Sequence, residues 1–219
     1  MKTSRSLLLI FVLVAAGSTF LSLRSRRSLL TEIVFEGKTK PPEAGPLCPW
    51  REPEADLKAF FPKATRYQIE TRILSGLRTE LGQRLGRSLT GDENALSLYR
   101  VFEGDARVGT VMTRRVKGDY GAIELVLATN PAGQVCGMRL QRLREPESIA
   151  NALTNPGWQH SFMGLTCESA WQVGDDITDV PTEAQTSARA VVEGARSVLI
   201  LLAAADQSQS QSMVAKQHH

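Results

Sequence analysis

Residues 175–202, DDITDVPTEAQTSARAVVEGARSVLILL, constrain the fold more than any other stretch of the chain. Ala184, Ala188, Val191, Val192, Ala195, Val198 and Leu199 recur close to helical spacing, which predicts a long helix with one apolar stripe. An acidic loop carrying Asp175, Asp176 and Asp179 comes first. Thr182 then stands where an N-cap belongs and Gln185 falls three residues later, the spacing of a capping box. A helix N-terminus carries roughly half a positive charge and presents unpaired N–H groups, so it can seat a phosphate. Thr182, Gln185, Thr186 and Ser187 are the candidates for that contact. A plain helix cap is the other reading of the same residues. Glu183 places a carboxylate in the first turn, and Arg189 one turn later can offset it.

The chain has 219 residues, 42% hydrophobic and 22% charged, which fits one compact domain with appendages. A net charge of +3 is too small to argue for nucleic acid. The charge is unevenly placed. Lys63, Arg66, Arg72, Arg78, Arg84 and Arg87 make one segment basic, while residues 168–183 hold five acids and no Lys or Arg. Two solvated surfaces explain this; a basic face for a partner or phospholipid headgroups is the sharper reading. Cys48, Cys136 and Cys167 form no C-x-x-C pair, which argues against a zinc or thioredoxin-like site. They read as buried thiols, with one disulfide left open.

Along the chain, residues 1–27 read as a transmembrane anchor. Lys2 and Arg5 precede an apolar run, residues 6–23 are 18 long, and Arg24, Arg26 and Arg27 stop it. A cleavable signal ending near Ala15-Ala16-Gly17 is the rival. Residues 28–54 are a Pro-rich linker, expected to hold the domain off the membrane, with Trp50 in it. A domain over 55–203 follows. It opens with a short helix ended by Pro62 and continues with an expected helix over 68–86, on the spacing of Ile69, Ile73, Leu74, Leu77 and Leu81. Strands are expected over 96–102, 107–117, 122–128 and 134–143, with turns at Gly104-Asp105 and Asn130-Pro131-Ala132-Gly133. A short helix over 147–153 and an amphipathic piece with Trp158, Phe162 and Met163 follow. Residues 204–219 are polar and repetitive, hence an expected disordered tail. The sequence contains no triad, P-loop, G-x-G-x-x-G or H-E-x-x-H, and we assign no catalytic or metal-binding residue.

Several of these segments resemble the FMN-binding domain of the Rnf and Nqr electron-transport subunits and related membrane-anchored flavoproteins. Asp176, Ile177, Ala184, Thr186, Ser187, Ala190, Val191 and Val192 resemble that family's C-terminal D-x-I-S-G-A-T-x-T-S-x-A-V-V motif. Gly118, Gly121, Ile123 and Glu124 match its G-Y-G-G-P-I-E pattern, with Tyr120 displaced by one. Glu145-Pro146 resembles a remnant of its E-T-P-G-L-G turn, and Trp158, Phe162 and Gly164 its W/F-x-x-x-F-x-G step. The chain departs from the family at Gln185, which stands where a threonine can be esterified by the FMN phosphate, and at Glu183, which stands in place of a glycine.

The resemblance implies an α+β fold, a twisted antiparallel sheet flanked by helices, behind a single N-terminal membrane helix. It implies non-covalent FMN and electron transfer rather than substrate conversion. The phosphate would meet Thr182, Gln185, Thr186 and Ser187. The ring would lie near Trp158, Phe162, Met163 and Trp171, with Gly118, Tyr120, Gly121 and Glu124 close by. The domain would face the periplasm and exchange electrons with a redox partner protein or a membrane electron-transport complex. The alternative is a flavin-less descendant of the fold that serves as a membrane-anchored interaction or assembly module.

Overall fold

The computed structural model describes residues 30–34 and 53–217. The expected anchor, most of the expected linker, Cys48, Trp50 and the two terminal histidines lie outside the described residues. The elements are β1 (Leu30–Val34), α1 (Glu54–Phe60), β2 (Arg66–Ile73), α2 (Arg78–Leu85), β3 (Ala95–Glu103), β4 (Ala106–Lys117), β5 (Ala122–Thr129), β6 (Val135–Leu143), α3 (Glu147–Thr154), α4 (Pro156–His160) and α5 (Gln185–Gln217). The six strands form one antiparallel meander in the order β1-β2-β3-β4-β5-β6. Helices cover both faces, so the fold is α+β with an antiparallel sheet flanked by helices, the class expected from the sequence. Among the described residues, no helix is long and apolar enough to cross a membrane.

The two faces follow from the period of two along each strand. In β5, Ile123, Leu125 and Leu127 join the larger core beneath α5, while Val126 and Ala128 join a smaller core with Leu57 of α1. A strand covered on both faces reads as a near-continuous apolar run, and AIELVLAT is one. The α5 stripe behaves as its spacing predicts. Ala184, Ala188, Val191, Ala195, Val198 and Leu199 are all buried, and α5 packs across β4, β5 and α2. Burial of one Val or Leu contributes about 1.5–3 kcal/mol, so the stripe is a main source of the fold's stability.

On the other face, α1 sits against the sheet through two rings and two glycines. A Cβ on Gly137 would lie 2.4 Å from Phe60, and one on Gly109 would lie 2.2 Å from Phe61 and 2.6 Å from the Thr129 carbonyl oxygen. The carbonyl is backbone and cannot swing away. Gly109→Ala is therefore expected to cost about 1–3 kcal/mol by overpacking. A denaturant titration in which the variant keeps the wild-type midpoint would show that α1 is not seated this closely.

Four expectations are corrected. Residues 68–73, expected in a helix from the spacing of Ile69 and Ile73, belong instead to β2, Arg66–Ile73. Tyr67 and Ile69 pack on the α1 side while Glu70 is buried on the α5 side, and the β-branched Ile69, Thr71 and Ile73 suit a strand paired to β3. Only residues 78–85 of that stretch are α-helical. Leu30–Val34, inside the expected linker, pairs with β2 as an edge strand. The expected tail begins inside α5: Ala204 and Ala205 are buried and Asp206 pairs with Arg100 of β3. Cys136 is exposed and Cys167 half-buried, both as free thiols rather than the buried thiols expected.

Candidate functional site

The chain between α4 and α5 is a long loop pinned by aromatic packing. Trp158 of α4 meets Phe162 edge-on at 5.1 Å between ring centroids, and Phe162 meets Trp171 at 6.1 Å. Trp171 adopts a left-handed backbone at φ 60°, which is costly for a bulky residue, and its Nε1–H donates to the Thr166 carbonyl at 2.8 Å. Ile177 and Val180 then anchor the loop in the core. This brings Pro181 and a single 3-10 turn, Thr182–Ala184, to the start of α5.

The capping box expected there is not formed. Pro181 occupies the cap position with no side-chain hydrogen bond, and Thr182 is the first residue of the 3-10 turn. The turn moves the α-helical start to Gln185, past the threonine. A capping box exists elsewhere, at Thr90 and Glu93 before β3.

Two hollows meet at the α5 start. The larger, about 500 Å³, lies between α3–α4 and the approach to α5; Asn151, Asn155, Trp158, Thr178, Asp179 and Pro181 contribute to its walls. The smaller, about 180 Å³, is lined by Val173, Asp179, Val180, Gln185, Ala188 and Arg189. Asp179 and Val180 line both, so the two spaces adjoin. The larger has the size of a ligand cleft, roughly 300–1,000 Å³. The smaller has a guanidinium, an amide and the positive end of a 33-residue helix. Asp179 and the exposed Glu183 bring negative charge to the same place. Asp179 Oδ1 accepts from the Val180 N–H at 2.8 Å.

The structure divides the residues singled out in the sequence into three groups. Gln185 borders the smaller hollow and Trp158 the larger, while Phe162 is wholly buried between the two tryptophans and Met163 packs half-buried against the core. Thr182 and Thr186 are exposed.

Ser187 belongs to a second group. It lies about 200° around the helix from Gln185, at 3.6 residues per turn, and turns away from the hollow. Its buried Oγ accepts from the Asp119 N–H at 2.9 Å, clasping the β4–β5 loop that holds Gly118, Tyr120 and Gly121. Glu145 Oε2 accepts from the Tyr120 N–H at 3.2 Å, and a Cβ on Gly118 would fall 2.0 Å from Glu145 Oε1. That contact is closed.

Glu124 is the third. It faces away from α5, pairs with Arg115 at 2.8 Å and Arg142 at 3.8 Å, and its buried Oε2 has no hydrogen-bond partner among the described residues. It does not border the cleft. The alternation along β5 already contained that signal, because its neighbours Ile123 and Leu125 point toward α5.

Sequence reasoning missed Ser148, Asn151 and Asn155 as cleft residues. Ser148 and Asn151, three apart, form a polar face on α3 opposite its buried Ile149 and Leu153, and Asn155 follows just past the end of the helix. Asn155 also caps α4, its Oδ1 accepting from Gly157 N–H at 2.8 Å and Trp158 N–H at 3.3 Å. Comparison of the sequence with family models and with curated proteins finds no match.

Proposed function

We propose that the chain is a membrane-anchored FMN-binding electron-transfer protein, with the flavin held non-covalently at the amino end of α5. The observation that carries this reading is the pair of adjoining hollows, one walled by Trp158 and one by Gln185 and Arg189. A flat ring and an anionic tail need such a pair. The residues fit the group in kind. Arg189 and the Gln185 side-chain amide suit a phosphate, the Trp158 side suits the ring, and Asn151 and Asn155 can meet its polar edge. Gln185 carries no hydroxyl and cannot form a phosphoester. When bound, FMN would supply one- and two-electron carriage; the chain's own part is to hold it, to exclude water and to bias its potential. No residue is assigned to substrate conversion. An anchor over residues 1–27, expected from the sequence, would make it a single-pass protein of the cell membrane, and the family resemblance favours a periplasmic domain that serves a membrane electron-transport partner.

The second reading, a flavin-less interaction or assembly module, draws on one observation. Trp158, Phe162 and Trp171 stack on one another and leave only the margin of Trp158 for a ligand.

A titration of FMN into the full chain in detergent separates the two. Flavin binding predicts saturable quenching of FMN fluorescence at micromolar protein and release of all yellow colour on acid precipitation. Absence of quenching selects the flavin-less module, and colour retained in the precipitate contradicts the non-covalent assignment.

A further inference from the structure

We infer that the end of the sheet bearing Ile73 and Tyr120 rests on the bilayer surface, with these two side chains in the lipid interface. Ile73 and Tyr120 are 62% and 67% exposed and are the two most exposed large apolar residues among those described. They share one end of the sheet. Ile73 closes β2 opposite Ala95 of β3, and Tyr120 lies in the turn joining Lys117 of β4 to Ala122 of β5, at the same end of the sheet with β3 between. Strands spaced about 4.8 Å apart put the two on one rim.

The tether points to the same rim. β1 begins at Leu30, opposite Glu70, so the chain enters it from the Ile73 end. Arg24 closes the apolar run six residues earlier, and six residues span at most about 20 Å. A tether that short keeps this rim the part of the domain nearest a membrane that contains the segment. Tyrosine, part apolar and part polar, is favoured at the lipid interface. Lys117 and Arg144 are exposed at this end of the sheet, and the exposed Asp119 and Glu147 stand close to them in the chain, so the charge there is mixed. The inference rests on the anchor in the proposed function but not on the flavin. Because the start of α5 is bonded to the Asp119 loop, the candidate cleft would also lie at the membrane end, within reach of a membrane-borne redox partner.

The experiment uses the full chain with Cys48, Cys136 and Cys167 replaced by serine and single cysteines introduced as Ile73→Cys, Tyr120→Cys and Asp105→Cys. Asp105 lies in the β3–β4 turn at the far end of the sheet. Each is labelled with an environment-sensitive fluorophore and reconstituted in vesicles of phosphatidylcholine and phosphatidylglycerol containing a headgroup nitroxide lipid. The expected result is strong quenching at 73 and 120 and little at 105. Equal quenching at all three positions, or none at 73 and 120 in chain that resists alkaline carbonate, overturns the docking while leaving the anchor standing. Release of the chain by carbonate overturns both. Pyrene labels at 73 that form excimers without nitroxide quenching show a second copy on this rim, and also overturn it.

Discussion

Arg100→Met is expected to lower the unfolding free energy by about 3–5 kcal/mol, the usual cost of removing one partner from a buried ion cluster. Arg100 is 4% exposed and spends its donors on three elements. Nε donates to Glu70 of β2 at 2.9 Å, Nη1 to Thr110 of β4 at 2.9 Å, and the guanidinium closes on Asp206 of α5. Glu70 keeps Arg72 in the variant, but its other oxygen and the Thr110 hydroxyl lose their donor inside the fold. For a domain of this size the change corresponds to a fall in Tm of roughly 6–20 °C. Asp206→Asn, with its side chain 36% exposed, is expected to lose much less. Thermal melts of the pair check both the network and the docking of α5 beyond residue 203. If Arg100→Met melts with the wild type, the last part of α5 is not held on the sheet.

Glu93→Gln is expected to cost about 3 kcal/mol at neutral pH, and the cost should shrink in acid. Glu93 is 1% exposed and its carboxylate is fully used. Oε2 accepts from Arg87 and from the Thr90 N–H, both at 2.8 Å, and Oε1 accepts from Arg87 at 2.8 Å and Arg114 at 2.9 Å. Burial alone would raise its pKa; the Arg87 and Thr90 hydrogen bonds and the Arg114 charge outweigh it and hold the group at about 2, against an ordinary 4.5. The folded pKa is the lower one. The stabilisation is therefore complete above pH 4.5 and is lost as pH falls from there through about 2. A shift of this size corresponds to roughly 3 kcal/mol. Stability curves for wild type and variant should converge over that window; parallel curves would contradict the assignment.

The parts of the fold that were legible in the sequence are those whose signal is local. β3 to β6 carry alternation bounded by turn residues, and the α5 stripe repeats over four turns of helix. β2 was not legible because Ile69 and Ile73 fit a helical face as well as a strand, and pairing with β3, some 30 residues away, decides between them. The start of α5 was misplaced because Pro181 and a 3-10 turn stand before it, so Thr182 does not cap. The candidate site was legible only in part. Gln185 and Trp158 were named and do flank the hollows, but Ser187 and Glu124 were grouped with them by sequence motif although helix and strand geometry turn both away.

The most direct test of a phosphate seat at the α5 start is to compare FMN with riboflavin, which differ only in that phosphate. Fluorescence titrations of the full chain should show FMN binding clearly tighter than riboflavin. Arg189→Glu should abolish that preference while leaving riboflavin binding unchanged. Equal affinity for the two flavins in the wild type, or a preference that survives Arg189→Glu, would contradict the placement of the flavin at this end of the helix.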